Sequence, residues 1–339
     1  MDLSTIIVNQ NGAPLLREAL TSVAAAARVA GCDAETVVVD NASTDESRAM
    51  VAEEFPDVRL VGLDRNVGFP GAVNAGLEHT TGEWVFLLNN DATIDPDALR
   101  LVLGRPIPDD VGSIALLMRF VARPDLVNSA GIGLDALGVA YDRLLGMPVD
   151  GEATRPAEVF GACGGAALYR RRMLEEIGGF DARIFLYLDD VDVAWRAQMA
   201  GWRTLYAPDA VVWHHHSATN VHGSARKYFH VGRNRVRVLA RNADAAHLRR
   251  WGLLIVAYDI AYVTFVAVAD GSLAPLRGRI AGLREWRSLR AEGAPRRRPV
   301  PLERPTGPLA ALRRRRAWVV GATPREAGRL TSAGGPRHA

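Results

Sequence analysis

Glu35-Thr36-Val37-Val38-Val39-Asp40-Asn41-Ala42-Ser43-Thr44-Asp45 is a β-branched apolar run that stops on a string of short polar residues. Such a run suits a buried strand, and Asp-Asn-x-Ser after it can form an Asx turn and a helix cap. Upstream the same pattern appears once more. Ser4-Thr5-Ile6-Ile7-Val8 reads as a buried strand, Asn9-Gln10-Asn11-Gly12 as a turn, and the stretch from Pro14 to about Val29 as a helix. Strand, helix, strand makes a parallel βαβ unit and an α/β protein. Ligands of such sheets bind beyond the carboxyl ends of the strands, which is where Asn9 and Asp40 fall. An Asp there can accept hydrogen bonds from a nucleobase imide or a ribose hydroxyl.

Downstream, Val58 to Leu63 reads as a third strand leading into Asp64-Arg65-Asn66-Val67-Gly68-Phe69-Pro70-Gly71-Ala72-Val73-Asn74-Ala75-Gly76. This glycine-punctuated loop opens a helix, and its one cation, Arg65, can pair with a phosphate; its glycines serve equally for tight packing. It carries neither the Gly-Lys-Ser/Thr of a Walker loop nor Gly-x-Gly-x-x-Gly, which disfavours dinucleotide binding of the nicotinamide type. A fourth strand, Gly82 to Leu88, ends in Asn89-Asn90-Asp91, oxygen donors of the kind a hard divalent cation takes.

A second chemical cluster comes later. Phe185-Leu186-Tyr187-Leu188-Asp189-Asp190-Val191-Asp192 places two adjacent carboxylates after an apolar run expected to be extended, just before a helix over 191–200 that stops at Gly201. A helix N-terminus favours an ionised Asp, and two acids in unequal surroundings can divide into a base and an orienting group; an N-cap beside a surface acid has the same sequence. Trp202 to Tyr206 and Ala210 to Trp213 read as two strands separated by a turn at Pro208-Asp209, followed by His214-His215-His216. Side chains alternate along a strand, so at most two of these histidines can share a site.

Taken in order, these segments resemble a family 2 glycosyltransferase of the GT-A fold, and within it the rhamnosyltransferase-like branch. The likeness extends over about residues 3–240. It implies that Asp40 meets the nucleobase and Arg65 the nucleotide, with Asn9, Asn41, Asn74, Asn89 and Asn90 completing a nucleotide-sugar site. It also implies Mg²⁺ or Mn²⁺ on Asp91 and His214, although Asn89 stands where the family's Asp-x-Asp has its first acid. Asp190 becomes the general base and Asp189 its companion in orienting the acceptor hydroxyl. The small-residue stretch Phe160 to Arg171 resembles the family's strand before the acceptor-binding helix, where missing side chains let a sugar approach the backbone; close strand packing is the plainer reading. Cys163 within it reads as a buried small residue and not as a nucleophile. Residues 101–158 carry no assigned chemistry, with 125–141 expected to form a hairpin or loop on the acceptor side.

Composition bounds the rest. The chain has 339 residues, 48% hydrophobic and 23% charged, enough for one large domain and an appendage. Two cysteines exclude a disulfide framework, and the absence of a basic and apolar leader points to a cytoplasmic protein. Residues 277–339 hold 16 Arg and 4 Glu, a net of +12, which leaves the first 276 at −9. Trp251 to Ala269 is a long apolar run interrupted by Asp259, a residue costing about 2.5–3.5 kcal/mol at the centre of a spanning helix. An interfacial or re-entrant helix is therefore expected, docking the protein on an anionic membrane surface at the inner face of the cell membrane; an internal helix and a true span are the alternatives.

The organisation expected is a catalytic domain over 1–220, a helical region over 221–290 and an Arg/Pro-rich, disordered tail over 291–339. The function expected is an inverting, metal-dependent transfer from dTDP-rhamnose or a UDP-sugar to a lipid-linked or polysaccharide precursor, with no nucleic acid as partner. A nucleotidyltransferase would want a basic residue in the turn 9–12, which is lacking. A nucleic-acid-binding protein driven by the arginines would leave the acid and His cluster unexplained.

Overall fold

The computed structural model describes residues 2–32, 34–215, 224–292, 299–300 and 302–305. From the N-terminus come β1 (Leu3–Asn9), α1 (Ala13–Ala30), β2 (Ala34–Asp40), α2 (Ser47–Glu54), β3 (Arg59–Gly62), α3 (Phe69–Leu77), β4 (Trp84–Asn89), β5 (Ala92–Ile94) and α4 (Ala98–Leu103). Then follow β6 (Val111–Phe120), β7 (Val127–Ser129), β8 (Ile132–Leu134), β9 (Ala140–Asp142), β10 (Ala157–Val159), β11 (Ala166–Arg170), α5 (Arg171–Ile177), α6 (Asp189–Ala200) and β12 (Arg203–His214). Four helices follow: α7 (Ala225–Asn242), α8 (Ala245–Asp270), α9 (Ala274–Arg284) and α10 (Trp286–Glu292).

The main sheet runs β10-β12-β6-β11-β4-β1-β2-β3, with β5 on β12 and β7 on β6. Strands β3, β2, β1 and β4 are parallel, β11 is antiparallel to β4 and β6, and β12 is parallel to β6. This is the mixed α/β sheet expected. Its direction changes bring the carboxyl ends of β1, β2, β4, β6 and β12 and the start of β11 to one edge.

The core follows from strands that are apolar on both faces. Along β1, Leu3 and Ile7 face α1 and α4 through Leu16, Leu20 and Leu99, while Ile6 and Val8 face α3 and α6 through Val73 and Val193. A third cluster joins α6 to α7 and α8 through Trp195, Val238, Leu239 and Ile255, and Val300 and Leu302 pack onto it.

Two expectations about local structure are corrected. Arg203 to His214 is one strand and not two: Pro208, which has no N–H to donate, sits in a bulge where the register against β6 shifts between Ala207 and Val211. Phe185 to Leu188 is not extended. Phe185, Tyr187 and Leu188 all have left-handed φ, at 68°, 68° and 65°, costing about 1–3 kcal/mol each unless the surroundings impose them.

The expected loop at 125–141 holds β7 and the β8–β9 hairpin, which gains a third chain from the C-terminal side. Ala136 N–H donates to the Glu303 carbonyl at 2.8 Å and Glu303 N–H to the Leu134 carbonyl at 3.1 Å. The Tyr141 hydroxyl also donates to the Glu303 carboxylate.

Candidate active site

Two groups of side chains meet at the shared sheet edge. The first stands on β1, β2 and β4. Asn9 Oδ1 accepts from Asn90 Nδ2 at 2.7 Å, and Asn9 Nδ2 donates to Ser43 Oγ at 3.2 Å. Asp40 is buried and accepts from Ser43 N–H at 3.0 Å and from Arg48 Nε at 2.5 Å. Arg48, on α2, is a cation that the sequence reading passed over, because helical spacing alone does not show that it reaches the end of β2.

Asn41 acts one step back. Its Oδ1 accepts from Val67 N–H at 2.9 Å and its Nδ2 donates to Asn66 Oδ1 at 3.0 Å, so it shapes the Asn-Val-Gly-Phe loop. Gly68 in that loop has φ 81°, and a Cβ there would lie 2.4 Å from the Phe185 carbonyl oxygen; only glycine fits. Asn74 was expected beside the nucleotide. Both ends of its amide are bonded instead to the Phe180 backbone, at 2.8 and 3.0 Å, where it fastens α3 to the approach of α6. Arg65 is exposed on the loop rim.

Asp91 and His214 come together across 123 residues, Nε2 to Oδ1 at 3.2 Å. Two features explain the meeting: His214 ends β12 opposite Ala92 of β5, and His215 N–H donates to the Asp91 carbonyl at 3.0 Å. Asp91 is held below the usual carboxylate range: burial pushes it up, and the His214 hydrogen bond and charge outweigh that. His214 Nδ1 meets Asn128 Oδ1 at 2.9 Å, which fixes the ring and aims Nε2 at Asp91. His215 Nε2 lies 3.3 Å from Glu18 Oε2, away from this pair, and His216 lies outside the described residues.

The donor set fits a small divalent cation. Mg²⁺ and Mn²⁺ commonly take one or two protein ligands and complete their shell with water and substrate phosphate, and neighbouring ligands about 2.1 Å from an octahedral ion stand about 3 Å apart. Among the described residues no cluster of three or more His, Cys, Asp or Glu forms a larger cage. Asn89 sits beside the pair at the end of β4, its N–H donating to the Gly165 carbonyl at 2.9 Å.

The second group is the acid pair. Asp189 and Asp190 open α6, and the Asp190 carboxylate accepts from Gly164 N–H at 3.1 Å and Val191 N–H at 2.8 Å. Burial pushes Asp189 up to about 8, with the Asp190 charge adding to the rise. Asp190 also rises through burial, opposed by its backbone donors. Burial thus raises both acids, while the Gly164 and Val191 N–H donors favour the charged form of Asp190 and make the pair unequal.

A third acid completes this corner. Asp142, at the end of β9, is pushed up to about 6, first by burial and then by the Asp190 charge, while Ser129 and Cys163 hydrogen-bond its carboxylate. The Cys163 thiol is pushed well up by burial and by the charges of Asp142 and Asp190, so it stays protonated. Nothing in the local sequence marks Asp142; only the hairpin's return brings it here.

Helix α7 carries the acids' approach loop. The fully buried Asn234 directs its amide N–H groups at the carbonyls of Ile184, Leu186 and Tyr187, at 2.9, 2.7 and 2.9 Å. At the far end of the same helix, Asn242 donates to Asp192 at 2.9 Å, and Asp192 is paired with Arg196 at 2.7 Å. Lys227, at the start of α7, sits over the Tyr187 ring at 5.2 Å.

Comparison with known proteins adds three findings. The sequence profile of glycosyl transferase family 2 matches residues 4–178. Over 240 residues the chain is 29% identical to N-acetylglucosaminyl-diphospho-decaprenol L-rhamnosyltransferase of Mycobacterium tuberculosis, covering 63% of this chain and 76% of that protein. Among solved structures, Staphylococcus aureus TarS 1-349 in complex with UDP-GlcNAc superposes with a TM-score of 0.57 at 17% identity, over 87% of this chain and 82% of that one. The mannosyltransferase PcManGT of Pyrobaculum calidifontis, in complex with GDP-Man and Mn²⁺, gives 0.51 at 21% identity, over 98% and 83%. At these identities the two structures speak to the fold alone, and that fold is GT-A.

Proposed function

The chain belongs to glycosyl transferase family 2, and from that premise we propose an inverting transfer of a sugar from a nucleoside-diphosphate donor to a hydroxyl of a lipid-linked or polysaccharide precursor. The observation that carries this reading is the unequal acid pair: Asp190 accepts from two backbone N–H groups and Asp189 beside it is pushed up to about 8 by burial, both at the edge where Asp91 and His214 stand. The M. tuberculosis relative, which by its name acts on a decaprenol-linked diphospho-sugar, supports the acceptor class. The likeness to rhamnosyltransferases favours dTDP-rhamnose as donor, with a UDP-sugar as the other candidate.

In this mechanism the nucleotide lies across the ends of β1 and β2. Asp40, held by Arg48, accepts from the base or ribose; Asn9 and Asn90 line the turn beside it; Arg65 pairs with phosphate from the loop rim. Asp91 and His214 hold Mg²⁺ or Mn²⁺, which when bound neutralises charge on the diphosphate leaving group. The acceptor hydroxyl lies against Asp190. Its oxygen forms a bond to the anomeric carbon from the face opposite the diphosphate, the carbon–oxygen bond to the diphosphate breaks with its electron pair leaving on oxygen, and the hydroxyl proton passes to Asp190. Protonated Asp189 donates a hydrogen bond that orients the acceptor, and the bare backbone at Gly164, beside Asp190, leaves room for the sugar ring.

The test is nucleoside diphosphate release from a panel of nucleotide sugars with Mg²⁺ or Mn²⁺ and a lipid-linked acceptor, comparing wild type with Asp190→Asn. We expect turnover with one donor, lost by about 10²–10⁴-fold in the variant while donor affinity is kept. Equal rates in the two proteins would remove Asp190 as base, and absence of binding to any nucleotide sugar would remove the reading altogether.

A further inference from the structure

Helix α8 is the least embedded of the described helices. Of its 26 residues only Ile255 and Val266 are buried, and Leu253 and Val268 are 89% and 82% exposed. By length and composition it is long and apolar enough to cross a membrane. Asp259, however, faces inward, accepting from Arg235 of α7 and Arg279 of α9, each at 2.8 Å. This ion pair holds α8 against the α7–α9 pair at mid-length while leaving space between them.

That space is a cleft of about 850 Å³, within the range of small-molecule sites. Its walls are apolar side chains such as Leu239, Ile255, Ile260, Val263, Ile280 and Leu283. At one end Tyr228, near the start of α7, donates to Asp270 at the end of α8 at 2.5 Å. Arg226 and Lys227 precede Tyr228 in the chain, outside the cleft wall, and Lys227 rests on Tyr187, two residues before Asp189. An apolar cleft on helices that lead back to these cations and the acid pair suits a long hydrocarbon bearing an anionic phosphate.

We infer that the cleft between α8 and α9 binds the hydrocarbon chain of a single lipid-linked acceptor, with Arg226 and Lys227 taking its phosphate end. This inference rests on the acceptor class proposed above. It makes the outward face of α8 the membrane contact and the inward face a chain-binding site, two roles that substitution separates. A Cβ at Gly252 meets no atom within 4 Å, so Gly252→Trp fills the cleft without crowding the fold and improves helix propensity. Val268→Ser alters only the outward face, since Val268 is exposed and stands outside the cleft wall.

The experiment uses the full chain and a fluorescent long-chain polyprenyl phosphate in detergent micelles. Gly252→Trp should weaken its binding at least 10-fold and raise KM for a long-chain acceptor similarly. Donor KM and turnover with a water-soluble short-chain acceptor should stay unchanged, while Val268→Ser should lower partition into anionic vesicles and leave micellar probe binding intact. Unchanged probe binding by Gly252→Trp, or equal losses on long-chain and short-chain acceptors, would overturn the inference. So would a loss confined to Val268→Ser, which would mean contact with the bulk bilayer only. Probe binding is read without turnover, so failure of the transfer reaction itself would appear separately, in the short-chain assay.

Discussion

Replacing Asn234 by Leu keeps the branched shape and removes the donors. In the native protein two amide N–H groups serve three carbonyls, those of Ile184, Leu186 and Tyr187, from a fully buried position. A buried acceptor left unpaired costs about 1–3 kcal/mol. With two protons shared among three carbonyls, and some relief as the loop moves toward water, the net loss should be about 3 kcal/mol. Spread over a domain of this size, with unfolding entropy near 2.1 cal/mol/K per residue, this lowers Tm by about 5 °C.

The functional effect should be larger than the stability effect. Phe185, Tyr187 and Leu188 hold left-handed backbone that nothing in their own chemistry favours, and without Asn234 they relax toward ordinary φ, carrying the start of α6 with them. A displacement of about 1 Å at a reacting group can cost about 100-fold, so kcat should fall 10- to 100-fold with donor KM unchanged. Asn234→Asp, which sets an acceptor against three carbonyls, should be worse on both counts. The assays are thermal unfolding and initial-rate kinetics at 25 °C. A variant that loses 5 °C but keeps kcat within twofold would refute the claim that α7 sets the geometry of the acids.

Asp189→Asn should stabilise the protein in a pH-dependent way. The folded carboxyl is raised to about 8, so the native state loses stability as pH rises from the unfolded value near 4 toward 8, and the neutral Asn escapes that loss. The gain, of the order of a few kcal/mol, should be near zero at pH 4 and largest at pH 8 and above, read by urea unfolding across that range. His214→Ala and Asp91→Asn should each raise the Mn²⁺ concentration giving half-maximal activity at least 10-fold, and Asn128→Ala, which releases the His214 ring, should do so more mildly; metal titration of the initial rate checks all three. Gly68→Ala forces a Cβ against the Phe185 carbonyl and should cost about 2–3 kcal/mol together with most of kcat, measured by the same unfolding and rate assays.

What the sequence made legible was whatever depends on neighbours along the chain. The strand at 35–40, the turn after it and the helix stop at Gly201 are written in local residue types, and the parallel βαβ unit follows from their order. The meeting of Asp91 with His214 was legible only through family resemblance, since no local rule joins residues 123 positions apart. Asp142 and Arg48 were missed because each reaches the site through a return of the chain that composition does not encode. The region from Phe185 to Leu188 was misread for a different reason. Its apolar residues favour an extended run, and their left-handed conformation is imposed by Asn234, about 50 residues later. Asp259, which reads as an obstacle to spanning a membrane, proves to be the residue that turns one side of α8 toward the protein.

The pairing of Glu303 with the β8–β9 hairpin has an architectural consequence. It pins Glu303 beside Tyr141, next to Asp142, and seven further arginines follow in the sequence between 306 and 339. A chain stopped after Pro305 loses that positive charge and keeps the added strand; one stopped before Leu302 loses both. The two endpoints therefore separate what the basic sequence does for capture of anionic substrates from what the strand does for the hairpin.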